Sequence, residues 1–228
     1  MLIKNKIIFL IILVFSSFII NTETKAEELD ISASEMTIHK DNEFVLAEGS
    51  VVIIDSNNNR VTTEKAEYDK SIDRVTTYQN TKIFLKNGYE ITSGQVVYDN
   101  KNKLIISNDK STIIDLDGNL ISVDMFEYII EKSLFSSRGN IKIVDMIKNK
   151  YFFEEIYIDT KNKKIVGSDV SVSMNQASVG LDKENDPRFV ANTAYISKEN
   201  SDFSNAVFTT CKRRGEKCPP WKLQAKKI

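Results

Sequence analysis

Apolar residues recur along this chain at intervals of thirty. One column reads Ile38, Tyr68, Tyr98, Tyr128 and Ile158, and a second, two positions earlier, reads Met36, Ala66, Val96, Phe126 and Ile156. Seven positions after the first column lie Val45, Val75, Ile105, Phe135 and Ile165. Fifteen after it come Ile53, Ile83, Ile113 and Ile143, and then Ser173. A fixed period of this kind marks a repeat architecture, in which each unit buries its apolar face by stacking on its neighbours. Within the period, runs rich in Val, Ile, Thr, Tyr and Phe are bounded by clusters of Asn, Asp, Lys and Gly, the pattern of strands punctuated by turns. Strands are predicted near 43–54, 60–69, 74–85, 89–99, 103–115, 120–129, 133–145, 150–159 and 163–174, so each repeat is two strands and two turns.

In the second strand of each repeat the apolar columns keep one parity, as in Val75 and Ile83 or Phe135, Ile141 and Ile143, whereas in the first strand the alternation changes parity part-way along. Ile91, Ile121 and Tyr151 share one parity with Ser93, Val123 and Phe153, whereas Val96, Phe126 and Ile156 share the other with Tyr98, Tyr128 and Ile158. Side chains must alternate along a regular strand, so a switch implies a bulge or a sharp bend. If every strand bends at the same place, the stack folds into a V. Its inner wall carries the apolar ladders, with small or hydroxyl residues (Ala47, Thr77, Ser107, Ser137, Gly167) between them, and its outer wall carries Glu67, Lys82, Glu127 and Lys142. The expected fold is therefore all-β, a V-shaped open β-jellyroll of 30-residue two-strand repeats. The ladders admit two readings, a closed β core or the lining of a groove. The tyrosines Tyr68, Tyr98 and Tyr128 either line that groove with hydroxyls toward its rim or cap the sheet edge.

Regularity fades after Ser173, and residues 174–192, with Asn175-Gln176-Ala177-Ser178 and Pro187, are expected to form an inserted loop. The chain closes on Cys218-Pro219-Pro220-Trp221-Lys222-Leu223-Gln224-Ala225, where Leu223 and Ala225 alternate with polar residues as a strand does. That strand, starting where the chain stops, suggests the N-terminal portion of something longer. At the other end, Lys4 and Lys6 precede an apolar stretch from Ile7 to Ile20, followed by Thr24-Lys25-Ala26. This is the form of a signal peptide cleaved near Ala26, and the stretch is short for a membrane span.

Composition narrows the function more than the fold. Formal net charge is −1 with 28% charged residues, which indicates no whole-chain attraction to nucleic acid. The two cysteines, Cys211 and Cys218, could close a small loop after export, or each could pair with a more distant partner. The single histidine, His39, has no nucleophile beside it. Asp69, Asp99 and Asp159 recur at the repeat period as strand-end residues that begin turns. Lys212, Arg213, Arg214 and Lys217 form a basic cluster that either meets phosphate groups or is simply solvated. Nothing forms a catalytic constellation, a metal-ligand set or a phosphate-cradling glycine loop. The expectation is a non-enzyme without cofactor or metal.

Two stretches carry a resemblance. Val45-Leu46-Ala47-Glu48-Gly49-Ser50-Val51-Val52-Ile53 followed by Thr63-Glu64-Lys65-Ala66-Glu67-Tyr68-Asp69 resembles the OstA-type domain of lipopolysaccharide-transport proteins, the family of LptA, LptC and the N-terminal region of LptD. The likeness covers roughly residues 29–174. Asn205 to Cys211 followed by Pro219 to Ala225 is similar to the segment that joins the LptD-type periplasmic domain to an outer-membrane barrel. The resemblance implies residues 27–204 as an OstA-like domain and 205–228 as a junction toward a barrel absent from this chain. It also implies a location in the periplasm, associated with the outer membrane.

The same resemblance implies that lipopolysaccharide acyl chains travel between the walls, with Ile38, Tyr68, Tyr98, Tyr128, Ile158, Val96, Phe126 and Ile156 as groove residues. It implies an LptA-like partner added by strand pairing near Ser32 to Ile38, an LptE-like lipoprotein only where a barrel is present, and pairing of Cys211 with barrel cysteines. A free-standing LptA-like bridge and a structural β-repeat protein without lipid binding are the competing expectations.

Overall fold

A computed structural model describes residues 29–39, 43–182, 184–213, 215 and 219–228; the proposed signal peptide, Cys218, Arg214 and Lys217 lie outside them. The described chain is almost entirely antiparallel β. Its strands are β1 (Asp30–Ser32), β2 (Glu35–His39), β3 (Phe44–Ile54), β4 (Arg60–Asp69), β5 (Arg74–Tyr78), β6 (Thr81–Phe84), β7 (Glu90–Ser93), β8 (Val96–Asp99) and β9 (Leu104–Ser107). They continue with β10 (Ser111–Ile114), β11 (Leu120–Val123), β12 (Phe126–Ile129), β13 (Leu134–Val144), β14 (Lys150–Asp159), β15 (Lys164–Ser173), β16 (Arg188–Ile196), β17 (Ser201–Thr209) and β18 (Leu223–Lys227).

The parity switches fall where strands break, between Ser93 and Val96 and between Val123 and Phe126, and the neighbouring strands bend at the same level. The runs expected near 74–85, 89–99, 103–115 and 120–129 each break into two short strands. The long strands β3 and β13 stay whole but shift register, between Glu48 and Val51 and between Arg138 and Ile141. Positive φ recurs here at the repeat period: Gly49 (76°), Gln79 (61°), Gly139 (96°) and Asp169 (51°). A left-handed residue re-aims a strand sharply, so the same position bends in four repeats, and the intervening one breaks between Ser107 and Ser111 without a left-handed residue at 109.

Bending divides the sheet into two walls. Strand β4 pairs with β5 through Lys65 to Asp69 and with β6 through Arg60 to Thr62. From there a first wall runs β5–β8–β9–β12 and a second runs β6–β7–β10–β11. Both rejoin on β13, which meets β12 at one end and β11 at the other. The line of bends is the spine of the V, and the turns at the far ends of the strands form two rims.

The small-residue column sits at the spine, where the strand breaks free backbone groups that must be satisfied. Ser93, Ser107 and Ser111 bond to one another at 2.8 and 2.9 Å. Thr81 donates to the Gly94 carbonyl, Ser107 to that of Gln95 and Ser137 to that of Met125. The apolar columns of both walls merge into one core, from Ala47 and Val51 to Ala194 and Ala206.

The C-terminal part differs from its expected form. The inserted loop is shorter than 174–192: it holds a single 3-10 turn at Gln176–Val179, and β16 begins at Arg188, paired with β15 and β17. Small residues at Ala191 and Ala194 and a break in pairing near Asn192 hide the alternation. Residues 205–209, expected to begin a junction, continue β17, and Leu223 to Lys227 return as β18 against it. The Thr209 hydroxyl donates to the Trp221 carbonyl, and Phe208 meets Trp221 edge-on. Residues 205–209 and 223–227 therefore belong to the same sheet as the repeats.

Candidate functional site

The inner faces of the repeats converge on the space between the walls, whose character changes along the stack. At the N-terminal edge, β2 pairs with β3 alone. Ile38 there is 58% exposed, and Tyr68 in the next repeat is half-buried. Further along, Val96, Tyr98, Phe126, Tyr128, Ile156 and Ile158 are all buried. Phe126 stacks on Phe135 at 5.6 Å between centroids. The gap left among Ile91, Ile113, Ile121, Tyr128, Phe135 and Ile158 measures about 10 Å³, at the lower limit for one water molecule. Here the walls touch, and the ladder is packed core.

The mouth over this closed stretch is tied across by polar groups. Asp55, on the second rim, accepts from the backbone and side chain of Asn59 at 2.8 and 2.7 Å, and also from the Tyr98 hydroxyl of the first wall at 3.0 Å. One repeat on, Asn87 of the second rim donates to Thr160 at 2.9 Å and Tyr128 at 3.3 Å on the first. A third tie joins Lys163 to both carboxylate oxygens of Asp117 at 2.9 and 3.1 Å. The tyrosine column thus has its hydroxyls at the rim, as one of the two sequence readings had it, while its rings sit in the core at Tyr98 and Tyr128. The Tyr68 hydroxyl stays on its own rim, donating to Asp73 at 2.9 Å. Its pKa is pushed up to about 12 by burial, with the Asp73 hydrogen bond and charge adding to the effect.

Past the third tie the walls separate. Two adjoining cavities of about 290 and 400 Å³ share Asn119, Ile165 and Ile196. The larger is floored by Ile143, Phe153 and Val172 of the second wall and Ile165, Ile196 and Phe203 of the first, with Asp145, Asn149, Tyr151 and Ser201 at its lip. Phe189 and Phe203 cross behind it edge to face, with centroids 4.7 Å apart. The smaller has Ile121, Ile158 and Ile165 below and Asp115, Asp117, Lys163, Ser197 and Lys198 above. Tyr89 lines it too; burial raises its pKa to about 12, with Asp115 and Asp117 the next contributors. An apolar floor under a charged lip suits an amphiphile, and the volume lies in the range of ligand sites.

Of the eight groove candidates, Ile158 alone lines these cavities. Ile165, Tyr151 and Phe153 stand in the inner columns of the repeat, so their inward direction was legible. That they border empty space was not, because a periodic column looks the same whether or not the opposite wall touches it. Ile196, Phe189 and Phe203 lie past the end of the period and carried no signal. The basic cluster near the C terminus is partly neutralised: Lys212 pairs with Glu184 and Arg213 with Asp186.

No protein-family model and no curated protein sequence matches this chain. Among solved structures, it is similar to LptH, the LptA-homologous periplasmic component of the lipopolysaccharide transport device of Pseudomonas aeruginosa. The match covers 62% of this chain and 82% of that one at 14% identity, with a TM-score of 0.27. So loose a superposition carries no functional argument.

Proposed function

We propose that the chain is a non-enzymatic lipid carrier that shields the acyl chains of an amphiphile, lipopolysaccharide, between its walls during transport through the periplasm. The observation that carries this reading is the pair of adjoining cavities, apolar below and charged at the lip, at the end of a stack whose inner columns are apolar throughout. Each methylene removed from water is worth about 0.8 kcal/mol, so even a short length of acyl chain gains appreciably by entering. Sugar and phosphate groups would stay at the lip beside Lys163 and Lys198. The column Tyr128, Tyr98, Tyr68 and Ile38, buried at its first two members and open at its last, would extend the path if the rim ties part.

A continuous path also needs continuity between proteins. Among the described residues, strands β1 and β2 pair only with β3, which leaves their outer edges to take a further strand. An LptA-like partner added along Ser32 to Ile38 fits that edge. The finer assignment, an LptD-type periplasmic domain or a free-standing LptA-like bridge, turns on whether the native product continues into a barrel with an LptE-like lipoprotein and on how Cys211 and Cys218 pair.

Photocrosslinking in living cells tests the reading, with a benzophenone side chain placed at Ile196, at Tyr98, or at the outward-facing Glu127. Lipopolysaccharide adducts at Ile196 and Tyr98 but not Glu127 establish the extended path. An adduct at Ile196 alone confines the lipid to the cavity and makes the tyrosine column structural. No adduct at any site, in a folded and exported protein, replaces transport with a purely structural repeat.

A further inference from the structure

The outer faces of the two walls are unlike in a way that core packing does not require. On the second wall, cross-strand register places Ile114, Leu120 and Val144 side by side just below the rim. The rim turns above them carry Leu116, Met146 and Ile147, exposed by 48, 64 and 56%. These tips are seated. A Cβ built on Gly88 would meet Leu116 at 2.4 Å, and one on Gly118 would meet the Met146 sulfur at 2.9 Å. Each apolar tip thus lies over the glycine of the preceding turn, forming a ridge along the lip of the cavities.

Around the ridge stand Arg60, Lys82, Lys86, Lys142, Lys148 and Lys150, all exposed, and none of them is in an ion pair among the described residues. The acids nearest them are Asp30 and Glu90 on the strands and Asp115, Asp117 and Asp145 in the rim turns, of which Asp117 is held by Lys163; Glu64 and Glu154 lie on the same face toward the spine. The first wall differs. Below its rim the outer face bears Glu35, Glu48, Glu67, Glu127, Glu155 and Asp159, with Lys65 tied to Glu48, Arg74 to Asp99 and Arg138 to Glu155; its rim turns carry exposed lysines as well (Lys70, Lys101, Lys132 and Lys161) but, beyond Ile72, no comparable row of exposed apolar tips.

We propose that the second rim is a membrane-docking edge, which lays its apolar ridge into the interfacial layer of an anionic bilayer with the flanking lysines on the lipid headgroups. Apolar side chains ringed by unpaired cations are the combination that binds such interfaces. Both rims carry lysines, and the apolar ridge of the second sets the orientation in which the chain docks. Because the ridge is the lip of the cavities, docking would bring their opening to the bilayer surface. The surface stands whatever occupies the cavity.

The test uses the full chain in a Trp221→Phe background, since Trp221 is its one tryptophan, with a reporter tryptophan introduced as Met146→Trp or, on the opposite wall, Glu127→Trp. Vesicles of phosphatidylglycerol and phosphatidylcholine with brominated acyl chains quench a tryptophan that reaches the acyl boundary. Docking predicts strong quenching at position 146 and none at 127. It also predicts that Lys142→Glu with Lys150→Glu weakens vesicle binding by about tenfold or more, and that quenching fades as salt is raised. Equal quenching at both positions, which the N-terminal apolar stretch could cause by tethering the chain without orientation, overturns the proposal. So does the absence of quenching at 146. If position 146 is unquenched and sedimentation shows a dimer, the ridge is a self-association surface instead.

Discussion

The middle of the stack and its C-terminal stretch are built from the same columns yet behave differently. Around Tyr98, Phe126 and Tyr128 the walls meet, leaving about 10 Å³, and polar ties cross the mouth. Around Ile165 and Ile196 the walls stand apart over cavities of about 290 and 400 Å³. The difference teaches that an apolar ladder does not by itself make a groove. What opens the space is the opposite wall: Phe189 and Phe203 cross behind the larger cavity, and among the described residues the partners that tie the earlier rims have no counterpart at Ile196.

The strongest way to break this comparison is to truncate a large side chain on each side of it. Phe126→Ala should cost about 3–5 kcal/mol in urea denaturation, as expected for a fully buried aromatic. Phe189→Ala, beside existing empty space, should cost only about 1–2 kcal/mol. Equal losses would mean that the cavity is filled in solution.

The rim ties should differ in the same sense. Tyr98→Phe removes the donor to a buried Asp55 carboxylate and should cost about 1.5–3 kcal/mol, with faster amide exchange in β8. Asp117→Asn, at the exposed end, should cost less than about 1 kcal/mol but widen access to the cavity, read as faster uptake of a fluorescent fatty acid. If Tyr98→Phe is silent in both stability and exchange, the mouth is not tied there.

A third change probes the spine beside the cavity. A Cβ on Gly167 would lie 2.4 Å from the Phe153 ring, so Gly167→Ala should destabilise by about 1–3 kcal/mol through overpacking. Phe153→Leu should restore most of it in a double-mutant cycle. Additive losses would show that the two residues do not share the space.

The smallest effect is alkaline. Burial raises the pKa of both Tyr68 and Tyr89 to about 12, against about 10 in an unfolded chain. The neutral hydroxyls therefore contribute stability that is fully present below pH 10 and is lost as the pH climbs toward 12. Tyr89→Phe should flatten part of that decline in a pH series of thermal melts. An unchanged slope would assign the decline to other groups.

Much of this was legible beforehand. Strand β4 falls where the turn signals put it, and the parity switch located the breaks between Ser93 and Val96 and between Val123 and Phe126; the bends at Gly49, Gln79 and Gly139 lie in the other strand of the repeat, where no switch was read. The break of runs such as 74–85 into separate strands was less legible, because Gln79 and Asn80 both adopt positive φ, a conformation their side chains permit but do not announce. Strand β16 was hidden by its alanines. The docking ridge was missed for a different reason: Leu116 and Met146 sit in turns, where an isolated apolar residue reads as noise until the thirty-residue register stacks them.

Period, strand content and the inward or outward direction of each side chain were determined by the sequence alone, because alternation and turn chemistry act over a few residues. Only the tertiary structure decided which stretch of the ladder is core and which is cavity, which rim residues tie across the mouth, and that the exposed apolar turn residues Leu116, Met146 and Ile147 line up along one rim. Those outcomes depend on the distance between two walls whose facing residues lie up to 73 positions apart, and no local pattern encodes that distance.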